Sequence, residues 1–288
     1  MSAGGPPLAS AQGATKRFGE LLAVDQVDLT VTPGEVVGLI GANGAGKTTL
    51  IRMLLGLLLP TAGRIRLFGE PPSRRTRARL GYVPQSLGLY EDLTVAENLA
   101  FSAAAFGSAA ADLEGELAEL RDALVRDLPL GLRRRAAFAI ALSHHPDLLV
   151  LDEPTSGVDP LQRARLWETI RATATDGAGV LVTTHHLSEA EQCDRLVVLA
   201  NGRVAAAGTL AEVVGDTTAA EVRTPSWEAA FTALDAAGLP VSLVGRALRV
   251  PGADPDAVRR LLADAGVPAQ VTTVAASFEE TFVVLAAA

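Results

Sequence analysis

A lysine set in a run of small residues is the first group in this chain with evident chemistry. Residues 41–48 read Gly41-Ala42-Asn43-Gly44-Ala45-Gly46-Lys47-Thr48 and fit the pattern G-x-x-x-x-G-K-[ST]. The glycines let the backbone curl until successive N–H groups face one point, and a helix starting just after them adds the positive end of its dipole. Such a cradle suits the β- and γ-phosphates of a nucleotide. Lys47 would add positive charge there and Thr48 would offer its hydroxyl to Mg²⁺. Asn43, Ala45 and Thr49 complete the set expected against the nucleotide. Lysine occurs only at positions 16 and 47 of this chain, so most positive positions are arginine and the lysine in the loop stands out.

The second constellation is Leu148-Leu149-Val150-Leu151-Asp152-Glu153, an apolar run that ends in two carboxylates. Carboxylates leaving the carboxyl edge of a parallel strand point into the ligand crevice of an α/β sheet. Asp152 would hold Mg²⁺, usually through water, and Glu153 would polarise an attacking water as general base. Taken alone, the pair could equally cap a helix that follows a strand. The phosphate-type loop upstream favours the catalytic reading.

These residues need elements to position them. Strands are predicted over Leu21–Val31 and residues 35–40, joined by the turn Thr32-Pro33-Gly34. A helix follows over residues 48–59 and stops at Pro60, which cannot continue it. Residues 93–141 are helical and Ala-rich, with breaks at Gly107 and around 129–131. Their clearest amphipathic part is 112–125, with Leu113, Leu117, Leu120 and Leu124 on one face. Strand (148–151), helix (161–172), strand (180–183), short helix (188–192) and strand (195–200) then alternate, which implies a parallel sheet covered by helices. After about Asp216 shorter elements run strand, helix, strand, strand, helix, strand, in the order of a split βαβ, ferredoxin-like unit, before a last helix over 277–286. The expected fold class is α/β, a mixed sheet core with a helical subdomain (86–135) across residues 11–216. Residues 217–288 would form a small α+β domain, and 1–10 a disordered tail.

Composition narrows the function. The chain has 288 residues and a net charge of −8, which argues against a nucleic-acid partner because duplex binding relies on Lys and Arg neutralising phosphates. Hydrophobic residues make up 49% of it but never run unbroken for the ~18 positions of a membrane helix. The first ten residues lack the basic region and apolar core of a secretory signal. The single cysteine, Cys193, rules out an internal disulfide and reads as a small buried hydrophobe in a cytosolic chain. The arginine run at 74–79 reads as a solvated face, and His144 and His145, next to Pro146, as a solvent-facing turn.

With the loop and the carboxylate pair at this spacing, the chain resembles the ABC ATPase family over nearly all of residues 1–216. That resemblance implies ATP and Mg²⁺ as ligands, hydrolysis coupled to transport through separate transmembrane permease subunits, and a second ABC ATPase protomer facing the first. It also implies a cytoplasmic position, peripheral on the inner face of the cell membrane. Further residues match the family's motifs. Phe18 matches the aromatic that stacks on adenine, with a core phenylalanine as the alternative. Gln85, in Gly81-Tyr82-Val83-Pro84-Gln85, matches the glutamine that contacts Mg²⁺ and water, with a surface glutamine as the alternative. Ser156-Gly157-Val158-Asp159 resembles the loop that crosses to the other protomer, with Val158 where Leu is usual. His185, after Thr183 and Thr184, matches the switch histidine at the γ-phosphate.

One motif departs from the family. The Leu-Ser-Gly-Gly-x signature that closes over the opposite protomer's nucleotide is here Leu128-Pro129-Leu130-Gly131-Leu132. The serine hydroxyl and the first glycine are missing, Pro129 has no N–H, and Leu130 brings a side chain where backbone should approach phosphate. Gly131 and the following helix dipole remain. Losing one preorganised donor to developing charge costs a factor of ~10²–10³ in rate, so a site closed by this segment should be slow. This points to pairing with a different, or tandem, ATPase subunit that supplies an intact signature, with a homodimer as the alternative. Residues 88–95 and the closing segment 276–282 resemble the multidrug, or ABC-2 type, exporter branch, the first lying where a permease would dock. Two other functions stay open: a regulatory subunit that binds ATP without hydrolysing it, and a soluble ABC ATPase of translation or DNA repair. The second normally carries another ATPase domain, a coiled-coil insertion or basic surfaces, none of which this sequence has.

Overall fold

The structure, a computed structural model, describes residues 6–108, 112–113 and 115–287. The chain divides into two compact units, Met1–Val204 and Ala205–Ala288.

A six-stranded sheet carries the strands in the order Leu80–Val83, Leu148–Asp152, Gly179–Thr184, Val36–Gly41, Arg195–Ala200, Arg203–Gly208. The first five run parallel. Buried on both faces, their sequences are nearly continuous in Val, Leu and Ile instead of alternating, as covered parallel strands require. The last two are joined by Asn201-Gly202, both at positive φ, the pair a two-residue hairpin turn demands.

Helix Lys47–Leu54 lies between this sheet and a three-stranded antiparallel one, ordered Leu21–Val31, Ala9–Phe18, Ala62–Leu67. Leu50, Ile51, Met53 and Leu54 are buried against Val37, Leu39 and Leu199 of one sheet and Ala11 and Val27 of the other. Each such leucine contributes about 1.5–3 kcal/mol by leaving water. On the opposite face, Leu149, Leu151, Val180 and Val182 pack on Phe138, Leu166 and Ile170 of helices Leu130–Leu142 and Pro160–Thr175.

Several expectations need correction. The tail reading covered residues 1–10, yet Ala9 and Ser10 are buried at the start of a strand, where Ala9 pairs with Val31 and Leu67; residues 1–5 lie outside the described residues. The helix expected to reach residue 59 ends at Leu54, because Gly56 turns left-handed and the N–H groups of Leu57 and Leu58 both return to the Arg52 carbonyl. The amphipathic segment 112–125 is not one helix. Among its described residues only Glu116–Glu119 is α-helical, behind Gly115 at φ 55°, and Leu124 is extended and bridged to Thr94. Its leucines 113, 117 and 120 still reach a common cluster with Val95, Val125 and Leu128, so the apolar pattern marked burial correctly and the period wrongly.

The second unit begins earlier than residue 217. Helix Leu210–Val214, capped by Thr209, packs on the last helix, Phe278–Ala287. Its sheet is antiparallel, ordered Ser242–Val244, Ala247–Pro251, Thr218–Arg223, Gln270–Ala275. Ala220, Val222, Leu248 and Val250 pack on Leu234 and Val258 of helices Trp227–Ala236 and Pro255–Asp264. Arg249 is paired with both Glu221 and Glu280.

Candidate active site

The loop at 41–48 leaves the carboxyl end of a central strand and enters helix Lys47–Leu54 through Gly46 at φ 102°. A Cβ on Gly46 would lie 2.4 Å from the Ala23 carbonyl, so the close approach of strand Leu21–Val31 requires glycine. Lys47 is 6% exposed; its Nζ donates to the carbonyls of Gly41 (2.7 Å) and Ala42 (3.2 Å) and stands 3.9 Å from Glu153 Oε1. Burial lowers the Lys47 pKa, and the charges of Glu153 and Asp152 pull it back up. A partly desolvated ammonium of this kind suits an anionic ligand.

Asp152, 2% exposed, ends its strand beside Thr183, whose hydroxyl donates to Oδ1 at 2.7 Å. The Thr48 hydroxyl donates to Oδ2 at 3.2 Å. A carboxylate and a threonine oxygen side by side at the mouth of a phosphate-type loop are the hard donors that Mg²⁺ shares with nucleotide phosphates, so these residues fit that ion.

Glu153 is the meeting point. Its backbone is left-handed (φ 51°), with its N–H donating to Thr183 Oγ1 at 2.9 Å. Its carboxylate accepts from Gln85 Nε2 at 3.2 Å and lies 3.3 Å from His185 Nδ1. Lys47, Gln85, Glu153 and His185 thus come from four separate segments, and the sheet order brings their strands together.

Phe18 is exposed at the end of strand Ala9–Phe18, with the Lys16 ammonium 5.2 Å from its ring centroid. Asp159 caps helix Pro160–Thr175 by accepting from the Gln162 N–H at 2.9 Å. Gly131 sits in the first turn of helix Leu130–Leu142, against the Gln162 side chain, and Leu130 rests on Gly157. His144 departs from the solvent-facing reading: half-buried, it stacks on Phe106 at 3.7 Å, while His145 is exposed in a left-handed turn.

Sequence reasoning missed Arg134. It is 5% exposed and donates to the carbonyls of Glu153 (3.2 Å), Pro154 (2.7 Å) and Ser156. It also missed a groove of about 760 Å³ bordered by Arg74, Arg77, Tyr90, Phe101, Phe106 and His144. Asn98 shapes one wall by bonding both the N–H and the carbonyl of Tyr90, at 2.8 and 3.0 Å.

A parallel sheet with a phosphate-type loop at one strand end and an Asp-Glu pair at another defines a nucleotide-binding P-loop cassette. Residues 24–156 match the family model described as ABC transporter. The Nod factor export ATP-binding protein I of Ralstonia nicotianae is 43% identical over 73% of this chain and 70% of its own length. The probable multidrug ABC transporter ATP-binding protein YbhF of Escherichia coli K12 is 38% identical over 80% of this chain, which spans 42% of that longer protein. A solved ATP-binding subunit of an ABC transporter superposes with a TM-score of 0.65 at 31% identity, covering 72% of this chain and 91% of that one. The chain belongs to the ABC transporter family, as an ATP-binding domain of that family. No helix among the described residues is long and apolar enough to cross a membrane.

Proposed function

We propose that this chain is the ATP-hydrolysing subunit of an ABC-2 type exporter, working on the cytoplasmic face of the cell membrane with separate transmembrane subunits. The observation that carries this reading is the Glu153 carboxylate, set among Lys47, Gln85 and His185 beside Asp152 and Thr48. The 41–48 loop and Lys47 bind the β- and γ-phosphates, and the exposed Phe18 ring offers a face to the base. Asp152, Thr48 and Gln85 hold Mg²⁺, which on binding neutralises phosphate charge. Glu153 orients the attacking water and takes its proton, while Gln85 and His185 fix the carboxylate and Lys47 and His185 absorb charge at the γ-phosphate. The names of the relatives, which include multidrug and Nod factor export proteins, support export.

The groove bordered by Tyr90, Phe101 and Phe106 is where a transmembrane subunit docks: it is lined mostly by apolar side chains together with Arg74 and Arg77, and it takes in residues 87–90, just after Gln85. For the second protomer the favoured partner is a different ATPase subunit. Leu130 lies over Gly157 and Pro129 caps the helix without an N–H, so this segment offers little to a partner's phosphate. Asp159, on the crossing loop, faces the same partner.

Glu153→Gln tests the reading. In the assembly with its partner ATPase subunit, turnover of Mg·ATP should fall by about 10²–10⁴-fold with ATP binding retained. The signature favours one rival, a subunit that binds ATP without hydrolysing it, and that rival expects no change from the substitution. Fast Glu153-dependent turnover by the chain as a homodimer would sink the heteromeric pairing.

A further inference from the structure

The helix that opens with Leu130-Gly131 carries three consecutive arginines in its second turn, and they do different things. Arg133 pairs with Glu91 and Arg135 with Glu116, both partners lying at the surface. Arg134 turns inward and spends its guanidinium on the backbone that follows the general base: Nη1 donates to the carbonyls of Glu153 and Pro154, and Nη2 to that of Ser156. A buried cation bonded to neutral carbonyls costs solvation that no opposite charge in direct contact returns. What it secures is geometry. The planar fork spreads two nitrogens across three carbonyls of one loop, a span that the single nitrogen of a lysine covers less well.

The loop needs securing. Glu153 is a non-glycine residue held at φ 51°, a conformation that persists only when its surroundings impose it. Three contacts to its backbone hold it here: its N–H is fixed by Thr183, and its carbonyl accepts from Arg134 at 3.2 Å and from the Ser156 N–H at 3.3 Å. The Ser156 contact lies within the loop itself, so loss of Arg134 removes the tie that anchors the loop to the neighbouring helix and lets the Glu153 carboxylate drift from Gln85 and His185.

We infer that Arg134 is a positioning residue for hydrolysis, clamping the 153–156 backbone so that the Glu153 carboxylate stays aimed, and joining that loop to the helix headed by the altered signature segment. The inference rests on the reading of Glu153 as general base. Through this side chain a shift of helix Leu130–Leu142 would reach the hydrolytic loop of the same chain.

The test uses the full chain with Arg134→Gln and Arg134→Lys, reading Mg·ATP turnover, ATP affinity and amide hydrogen exchange over residues 153–158. Displacement of a catalytic group by an ångström costs about a hundredfold, so Arg134→Gln should lower kcat by about ten- to a hundredfold. ATP affinity should stay within about twofold, because the phosphate loop is untouched. Exchange should quicken at 155–158 and stay unchanged in strand Leu148–Asp152. Added to Glu153→Gln, Arg134→Gln should lower turnover no further, since both act through one carboxylate. Arg134→Lys should regain part of both the rate and the protection. Wild-type kcat and exchange in Arg134→Gln overturn the inference, as does a loss of turnover that merely tracks lost ATP binding and lost fold. If the glutamine variant does not fold, a well-folded lysine variant with wild-type rate and exchange overturns it just as surely. Turnover that survives Glu153→Gln would instead defeat the general-base reading, while the exchange measurement reads the clamp by itself.

Discussion

Asp152 and Glu153 are chemically alike and adjacent, yet backbone geometry gives them different neighbours. Asp152 ends a buried strand with hydroxyls on both oxygens, whereas Glu153, after a left-handed turn, faces Lys47, Gln85 and His185. Cys193 shows a different use of burial. Its Sγ lies where a Cβ on Gly38 would come within 2.7 Å, and burial pushes its pKa up from 9.0 to about 12. The folded state therefore keeps a proton that the unfolded chain releases near pH 9. The stabilisation this gives is whole below pH 9 and is lost as pH rises toward 12. Urea unfolding should show wild type losing stability relative to Cys193→Ala as pH climbs above 9. Iodoacetamide should alkylate the thiol at pH 8 only as the chain unfolds; rapid labelling of the native protein would contradict this.

Helix Val95–Phe106 shows how a short element can be fixed at both ends. Thr94 and Glu97 form a reciprocal cap, Gly107 ends the helix left-handed, and between them Asn98, 3% exposed, reaches back to the Tyr90 backbone. Asn98→Ala should cost about 1–3 kcal/mol, since the Tyr90 groups lose their partner, and a melting curve gives the value. It should also weaken capture of the transmembrane subunits while leaving ATP affinity unchanged; a variant that docks normally would remove the Tyr90 wall from the docking surface. The same region marks the limit of sequence reading. The 41–48 loop was legible because its chemistry lies in contiguous residues. That Gln85, Glu153 and His185 share one point depends on strand order, which a single sequence supplies only by resemblance. Arg134 was not legible: Arg133-Arg134-Arg135 reads as a charged surface until helix phase and the packing partner choose which one turns inward. The 112–125 leucines misled because a helical spacing of apolar residues can also be buried by an irregular chain anchored at Thr94.

Each of the two units has a hydrophobic core of its own, one on either face of the six-stranded sheet and one around Val222, Leu234 and Leu248. The division falls within strand Arg203–Gly208, so a cut after Gly208 leaves the sheet complete. Residues 6–208 should then bind ATP within about threefold of the full chain. Residues 209–287 should unfold as a separate cooperative transition, which circular dichroism of the isolated piece would record. Loss of ATP binding on that cut would assign the second unit a part in the nucleotide site.

The scarcity of lysine makes the molecule its own reporter. One lysine amine is buried in the 41–48 loop and the other hydrogen-bonds the Leu59 carbonyl over the exposed Phe18 ring. Once the terminal amine has been blocked by acylation near neutral pH, where it is the more nucleophilic of the two amine types, an amine-directed fluorophore would settle on Lys16 beside the ring proposed to receive the base. Its emission would then follow nucleotide arrival and departure without an engineered cysteine or a modified ATP.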